Sequence, residues 1–200
     1  PGKKSVPGKL SCSGVGIYAA LGEELPGDLA THGVVLPSQP DSLYRSLEAR
    51  REPAETMAFV NYYRPGVVYP KGRGTLALLL TAPANGKEYG LDDAFVGREL
   101  DRVSRMIGLP KPATEYFSGY EVLHPRYFGA FGAAGGALYG AARPFWRIGP
   151  LHQPRYSDRR RPWLWRVGAS VHPGGGIPAV LGGAMISVSR LLGELGGRRP

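Results

Sequence analysis

The sequence predicts a mixed α/β or α+β fold. Three observations carry that expectation. Residues 74–81, "GTLALLLT", form an uninterrupted apolar run of strand length. Residues 92–107 place Val96, Leu100, Val103 and Ile107 on one helical face. Residues 164–192 read as a short strand, a glycine turn and a helix. Strands alternating with single helices belong to these two classes.

In chain order, residues 10–21 read as a strand, and Val34-Val35-Leu36 as a short one. A helix follows from Asp41 to Arg50, with Leu43 and Leu47 four apart and the Asp41 carboxylate as its N-cap. "EPAE" breaks it. "MAFVNYY", residues 57–63, is a strand that closes at Arg64-Pro65-Gly66. The run at 74–81 reads as a strand buried on both faces, and Asn85-Gly86 is a turn. In the helix at 92–107, Asp92 and Asp93 favour the N-terminus, and Gly108 with Pro110 ends it. "TEYFSGYEVLHP" is a strand leading to a His-Pro turn at 124–125.

Composition narrows the function classes. The single cysteine, Cys12, excludes an internal disulfide, and no Cys/His cluster has metal-ligand spacing. No G-x-S-x-G elbow is present. The carboxylate pairs Glu23-Glu24 and Asp92-Asp93 are adjacent, so they diverge on a strand or helix and read as solvated charge. The net charge is +9, with Arg155, Arg159, Arg160 and Arg161 clustered. No nucleic-acid module accompanies this charge, and the aromatics form no stacking platform. Attraction to anionic lipid and a plain solvated face both stay open. "PGKKSVPGK" lacks the apolar core of a signal peptide, and no run of about 18 apolar residues predicts a spanning helix. The expectation is a cytoplasmic protein attached peripherally to membrane.

The stretch "RVGASVHPGGGIPAVLGGA", residues 166–184, is the most informative. The chain has 30 Gly and 19 Pro in 200 residues, so glycine alone marks nothing. Here, however, three glycines stand between a strand and Pro178, which suits a first helical turn. The following apolar residues, Val180, Leu181, Ala184, Met185, Val188, Leu191 and Leu192, keep helical period. Amides at a helix start favour an anion, and glycines let a ligand approach the backbone. A strand-to-helix corner without a ligand gives the same pattern, so both readings stand.

Residues 167–178, "VGASVHPGGGIP", resemble the C-terminal flavin-binding signature of the phytoene desaturase family, within the amine-oxidase-like flavoproteins. "GGALYGAARPFWRIGPLHQPRYSDRRRPWLWRVGAS" resembles that family's Gly-rich turn, its Arg-Pro loop and its last strand, and "SCSGVGIYAALG" its second substrate-domain segment. The likeness spans about residues 9–195. Val171 departs from the threonine often found there.

The resemblance implies an FAD-dependent desaturase that removes hydrogens across a C–C bond of a carotenoid. An isomerase, ketolase or saturase of the same family shares the motifs, and a non-catalytic fragment or partner-dependent subunit is the alternative outside it. Gly168, Ala169, His172, Gly175, Gly176, Ile177 and Pro178 would contact the cofactor. The turn at 135–140 would lie near the flavin side of the substrate cavity. No catalytic side chain is implied, because the flavin carries the chemistry. Residues 1–120 would belong to a substrate-binding domain with a mixed sheet, and 121–200 would return to the FAD-binding domain. The family's opening strand, G-x-G-x-x-G turn and helix have no counterpart. The near-match Gly14-Val15-Gly16-Ile17-Tyr18-Ala19 follows no apolar strand, and no acidic residue ends a second strand about 20 residues on. The implied fold is therefore incomplete: a C-terminal portion lacking the dinucleotide-binding βαβ, which it would need as a partner to hold FAD.

Overall fold

The computed structural model describes residues 9–68, 72–142, 155–169, 171 and 175–196. The chain divides into two compact units, Pro1–Ala142 and Arg143–Pro200. The class is mixed α/β, as the alternation of periods predicts.

In the first unit, five strands form one sheet: β1 (Ser13–Leu21), β2 (His32–Val35), β3 (Ala58–Tyr63), β4 (Thr75–Ala82) and β5 (Phe117–Leu123). Their order is β2-β3-β4-β1-β5, and every pairing is antiparallel. The mixed sheet that the resemblance implies is thus corrected in this unit. The sheet is covered on one face by helix α2 (Ala94–Met106). Val15, Ile17, Leu76, Leu78 and Leu80 meet Phe95, Val96, Leu100 and Val103 in the core. β4 is therefore not buried on both faces. Leu76, Leu78 and Leu80 are sealed, while Ala77 and Leu79 on the other face stay half-buried. An antiparallel sheet with its helix on one side buries every second residue, whatever the hydrophobicity of the rest.

Helix α1 (Pro40–Glu48) has its N-cap two residues earlier than the spacing predicts. Gln39 is its N-cap and Pro40 takes the first position, so Asp41 lies in the first turn and does not cap. The His124-Pro125 turn opens a short helix, α3 (Pro125–Ala130). His124 Nδ1 accepts from the Tyr127 amide at 3.2 Å, and Pro125 needs no partner for its nitrogen. The sequence around Gly14 to Ala19 is the middle of β1, so it is strand and not a phosphate turn.

Asp93 caps α2, accepting from the Phe95 amide at 3.0 Å, and pairs with Lys87 at 2.8 Å. Partial burial pushes the Asp93 carboxyl up, but the Lys87 ammonium and the Phe95 amide outweigh it and leave the pKa below the ordinary value. A lowered carboxylate pKa gives stability that is present above about pH 4 and lost as pH falls through the folded value. An Asp93→Asn variant is therefore expected to lose less stability than the parent between neutral pH and pH 3, measured by urea unfolding across that range. Parallel acid losses in the two proteins would refute it.

Among the described residues of this unit, one acidic side chain lies fully inside. Glu99 on α2 has no solvent exposure. It accepts from Arg102 Nε at 2.9 Å, from the Thr56 amide at 3.0 Å and from Arg98 Nε at 3.4 Å. Arg102 also donates to the carbonyls of Leu36 at 3.2 Å and of Thr56. Arg98 donates to those of Pro53 at 2.8 Å and Ala54 at 3.1 Å. Removing one member of such a buried pair costs about 3 kcal/mol, because the other charge is left uncompensated. Glu99→Gln should lower the unfolding free energy by about that amount, read from the urea midpoint. A loss within experimental error would show that the network contributes nothing.

The second unit holds a two-stranded antiparallel ribbon, β6 (Ser157–Asp158) with β7 (Arg161–Trp165), and helix α4 (Ile177–Gly196). Arg166 pairs with Asp158. α4 docks through its small residues: Gly183 and Ser187 are the buried ones, and Ser187 Oγ donates to the Arg166 carbonyl at 3.2 Å. Arg190 stacks over Tyr156 at 5.2 Å. The apolar residues of the helical period do not form the buried line; Leu181, Met185, Val188 and Leu192 are exposed. The expectation of no helix fit to span a membrane is also corrected. By length and composition alone α4 is long and apolar enough, a test that buried helices of soluble proteins also pass.

Candidate functional site: a strand, glycine turn and helix corner

The second unit gathers the residues that the flavin signature singles out. β7 ends at Trp165, and the chain turns at Gly168, whose φ of 100° only glycine adopts without strain. The Val171 amide donates to the Gly168 carbonyl at 3.3 Å, and the Val171 side chain is fully buried. This turn re-aims the chain and pins it with one apolar side chain. Ala169, next to it, is exposed.

Gly175 and Gly176 then lead into α4. Gly176 has a φ of 93° and its carbonyl accepts from the Val180 amide at 2.9 Å, so it is the last residue before the helical turn. Ile177 and Pro178 take the first two helical positions, and both are exposed. A Cβ placed on Gly168 or Gly176 would meet no atom within 4 Å. Packing thus explains neither glycine; backbone conformation does. The corner leaves room against its backbone and presents a helix start to solvent. These are the features an anionic or electron-rich group needs there. His172 lies outside the described residues.

The first unit holds the other turn. Gly135 and Gly136, with φ of 59° and 80°, are tightly enclosed. Added Cβ atoms would come 2.5 Å from the Ala84 carbonyl oxygen and 2.2 Å from that of Pro125. Ser13 Oγ donates to the Gly136 carbonyl at 2.6 Å, and the amides of Ser11 and Leu138 bond to Gly140 and Cys12. Residues 135–141 are therefore fastened to the start of β1. Sequence reading did not foresee that role, because close backbone contact leaves no mark beyond glycine itself.

Cys12 beside this turn is a poor nucleophile on chemical grounds: burial pushes its thiol pKa up, so little thiolate forms. Among the described residues no group of His, Cys, Asp and Glu could hold a metal ion.

No protein-family model matches the chain. It is 28% identical over 193 residues to a zeta-carotene-forming phytoene desaturase of Myxococcus xanthus, covering 92% of this chain and 36% of that protein. To an all-trans-zeta-carotene desaturase of the same organism it is 27% identical, covering 94% and 36%. To a 4,4'-diapolycopen-4-al dehydrogenase of Metabacillus indicus it is 26% identical, covering 74% and 30%.

The chain is related to the phytoene desaturase family.

It spans about a third of the length of these curated relatives. The family relationship covers both units, since the two longer alignments take in over nine tenths of the chain. In this relative of the family, the enclosed turn at 135–136 makes a firm demand on sequence. Gly136→Ala forces a Cβ into a backbone carbonyl that cannot swing away, at a φ that L residues avoid. It should cost about 3 kcal/mol, read by thermal or urea unfolding. Gly176→Ala, where the space is open, should cost less; equal losses would show that enclosure is not the cause.

Proposed function

We propose that the chain is the C-terminal portion of an FAD-dependent oxidoreductase that removes hydrogens from a carotenoid. The observation that carries this reading is the corner at Gly168–Pro178. A flavin-binding signature there coincides with two left-handed glycines, open space and a helix start. The names of the three relatives, two desaturases and a dehydrogenase, support the substrate class.

In this reading FAD, when bound, supplies the acceptor for the two hydrogens. The chain's own residues bind and orient. Gly168 and Ala169 let the backbone run beside the cofactor. Gly175, Gly176 and Ile177, with His172 and Pro178 around them, present the helix start, whose dipole favours the negative charge of phosphate or of a reduced ring. Residues to about 120 serve a substrate-binding domain, and those from about 121 return the chain to an incomplete Rossmann-like FAD-binding domain. The exposed stripe Ile177, Leu181, Met185, Val188 and Leu192 on α4 is the surface that the remaining portion would cover. Arg159 and Arg160, exposed in the turn between β6 and β7, and Arg161, exposed at the start of β7, would meet anionic lipid at the membrane holding the polyene.

The test uses the full-length protein. Purified, it should carry FAD after desalting. Gly175→Asp, which sets a carboxylate at the helix start, should lose that flavin, while Gly175→Ala should keep most of it. The flavin absorbance band in the near-ultraviolet and blue measures both. A fully yellow Gly175→Asp protein would overturn the assignment of this corner.

A further inference from the structure

His124 follows β5 and opens α3, and its ring has a different neighbour at each nitrogen. On one side Nδ1 accepts from the Tyr127 amide at 3.2 Å and caps the helix. On the other, Nε2 lies 3.9 Å from a Glu88 carboxylate oxygen. The ring is mostly covered, while Glu88 is exposed. Accepting at Nδ1 needs a bare nitrogen there, so the cap exists only in the neutral ring with its hydrogen on Nε2. Serine, threonine or asparagine caps a helix whatever the pH. Histidine does so only while it is uncharged, and it is the side chain that ordinarily changes charge between pH 5 and 8.

The helix held by this cap touches the enclosed turn. Buried at the first helical position, Pro125 sets its carbonyl oxygen 2.2 Å from where a Cβ on Gly136 would stand. The Arg126 amide donates to the Lys87 carbonyl at 3.2 Å, and the Gly86 amide to the Gly135 carbonyl at 3.0 Å. Loop, helix and turn thus hold one another through backbone contacts. α3 has only six residues. The first amides of a helix lack internal partners, so in one this short the cap is a large part of what holds the first turn. Tyr127, whose amide the cap engages, also packs its ring on that of Phe131, with centroids 5.1 Å apart. Both rings are exposed.

We infer that His124 is a proton-operated cap: charging its ring releases the first turn of α3 and slackens the grip of that helix on the turn at 135–136. A proton on Nδ1 would set two N–H groups against each other at the present 3.2 Å, so an attraction becomes a repulsion. The imidazolium also has somewhere to go, because Glu88 carries the opposite charge on the Nε2 side. One proton exchanges a cap for an ion pair. The charged and titratable neighbours stand on both sides of this balance. Glu88 favours the charged ring. Arg126 on α3 opposes it, and already holds the other Glu88 oxygen at 2.9 Å. Lys87 is engaged with Glu52 and Asp93, at 2.8 Å each. β5 adds Glu121, three residues before the ring; α3 adds the Tyr127 phenol, the start of β1 the Cys12 thiol, and the turn at 134–141 the Tyr139 phenol. Because the neutral ring makes the cap, α3 is held above the range in which histidine titrates and loosened below it.

The test is hydrogen–deuterium exchange of the full-length protein, read by mass spectrometry on the peptide 124–131 at about pH 8 and about pH 5. Each rate is divided by that of the same peptide, unfolded, at the same pH. The expected result is a fall in protection of about fivefold at the acid end, while the β4 peptide 75–82 keeps its protection. His124→Asn, which caps without titrating, should hold its protection at both ends of the range. Glu88→Gln removes the charge toward which the ring would move, and should bring the fall to lower pH. A parent peptide equally protected at both ends would overturn the inference, whatever the variants do. So would a fall of the same size in His124→Asn, which would assign the acid effect to other groups.

Discussion

The first unit depends on one buried carboxylate. Glu99 sits on the core side of α2 and has no access to water. A lone charge there would cost several kcal/mol, so it is tolerable only because Arg102 and the Thr56 amide compensate it. Arg98 and Arg102 then reach four backbone carbonyls, at Leu36, Pro53, Ala54 and Thr56. Those carbonyls belong to the irregular segments that flank β2 and β3. Such segments have no ladder to satisfy them, and α2 supplies the donors instead. The same segment reaches β4 through Thr56 Oγ1 and the Thr81 carbonyl. Helix position, loop path and strand order are fixed together.

This explains what the sequence made legible and what it hid. Periodicity is a local signal, so β1, β3, β4, α2 and the helix after Pro178 could be read from it. The network around Glu99 could not. A Glu between two arginines, in "GRELDR", looks like any solvated helix face, and only the contact with residues 36 and 53–56 makes it internal. The side of β4 facing out was hidden for a related reason. The uniform apolar run from Leu76 to Leu80 says that both faces tolerate burial; strand order and the single covering helix decide which one receives it. At the candidate site the turn and the helix start were legible, because glycine and proline are the residues that backbone geometry selects. The docking line of α4 was not. It runs through Gly183 and Ser187, small residues that pack closely, while the larger apolar ones point away.

The two glycine turns show how one residue type serves opposite needs. At Gly136 a side chain would strike the Pro125 carbonyl, so glycine is there for closeness. At Gly176 a side chain would strike nothing, so glycine is there for its φ alone. An enclosed glycine holds the fold. An open one with positive φ serves backbone conformation alone, as Gly86 and Gly108 also do. That contrast marks the turn at 135–136 as enclosed and the glycines at 168 and 176 as open.

A similar division runs through the sheet. The buried charge on its core side, Glu99, is engaged in holding α2 and the loops, and the opposite face carries no charge across its central strands. Period-two alternation makes this possible, since one strand can send alternate residues to two unlike environments. Hydrogen removal from a polyene asks the protein for no acid or base at the reacting carbons when a cofactor accepts the hydrogens. What it asks for is a place where a long apolar chain can lie without meeting an unpaired polar group, and a backbone corner that tolerates negative charge. On the proposed function, the corner at 168–178 in the second unit is the candidate for the latter.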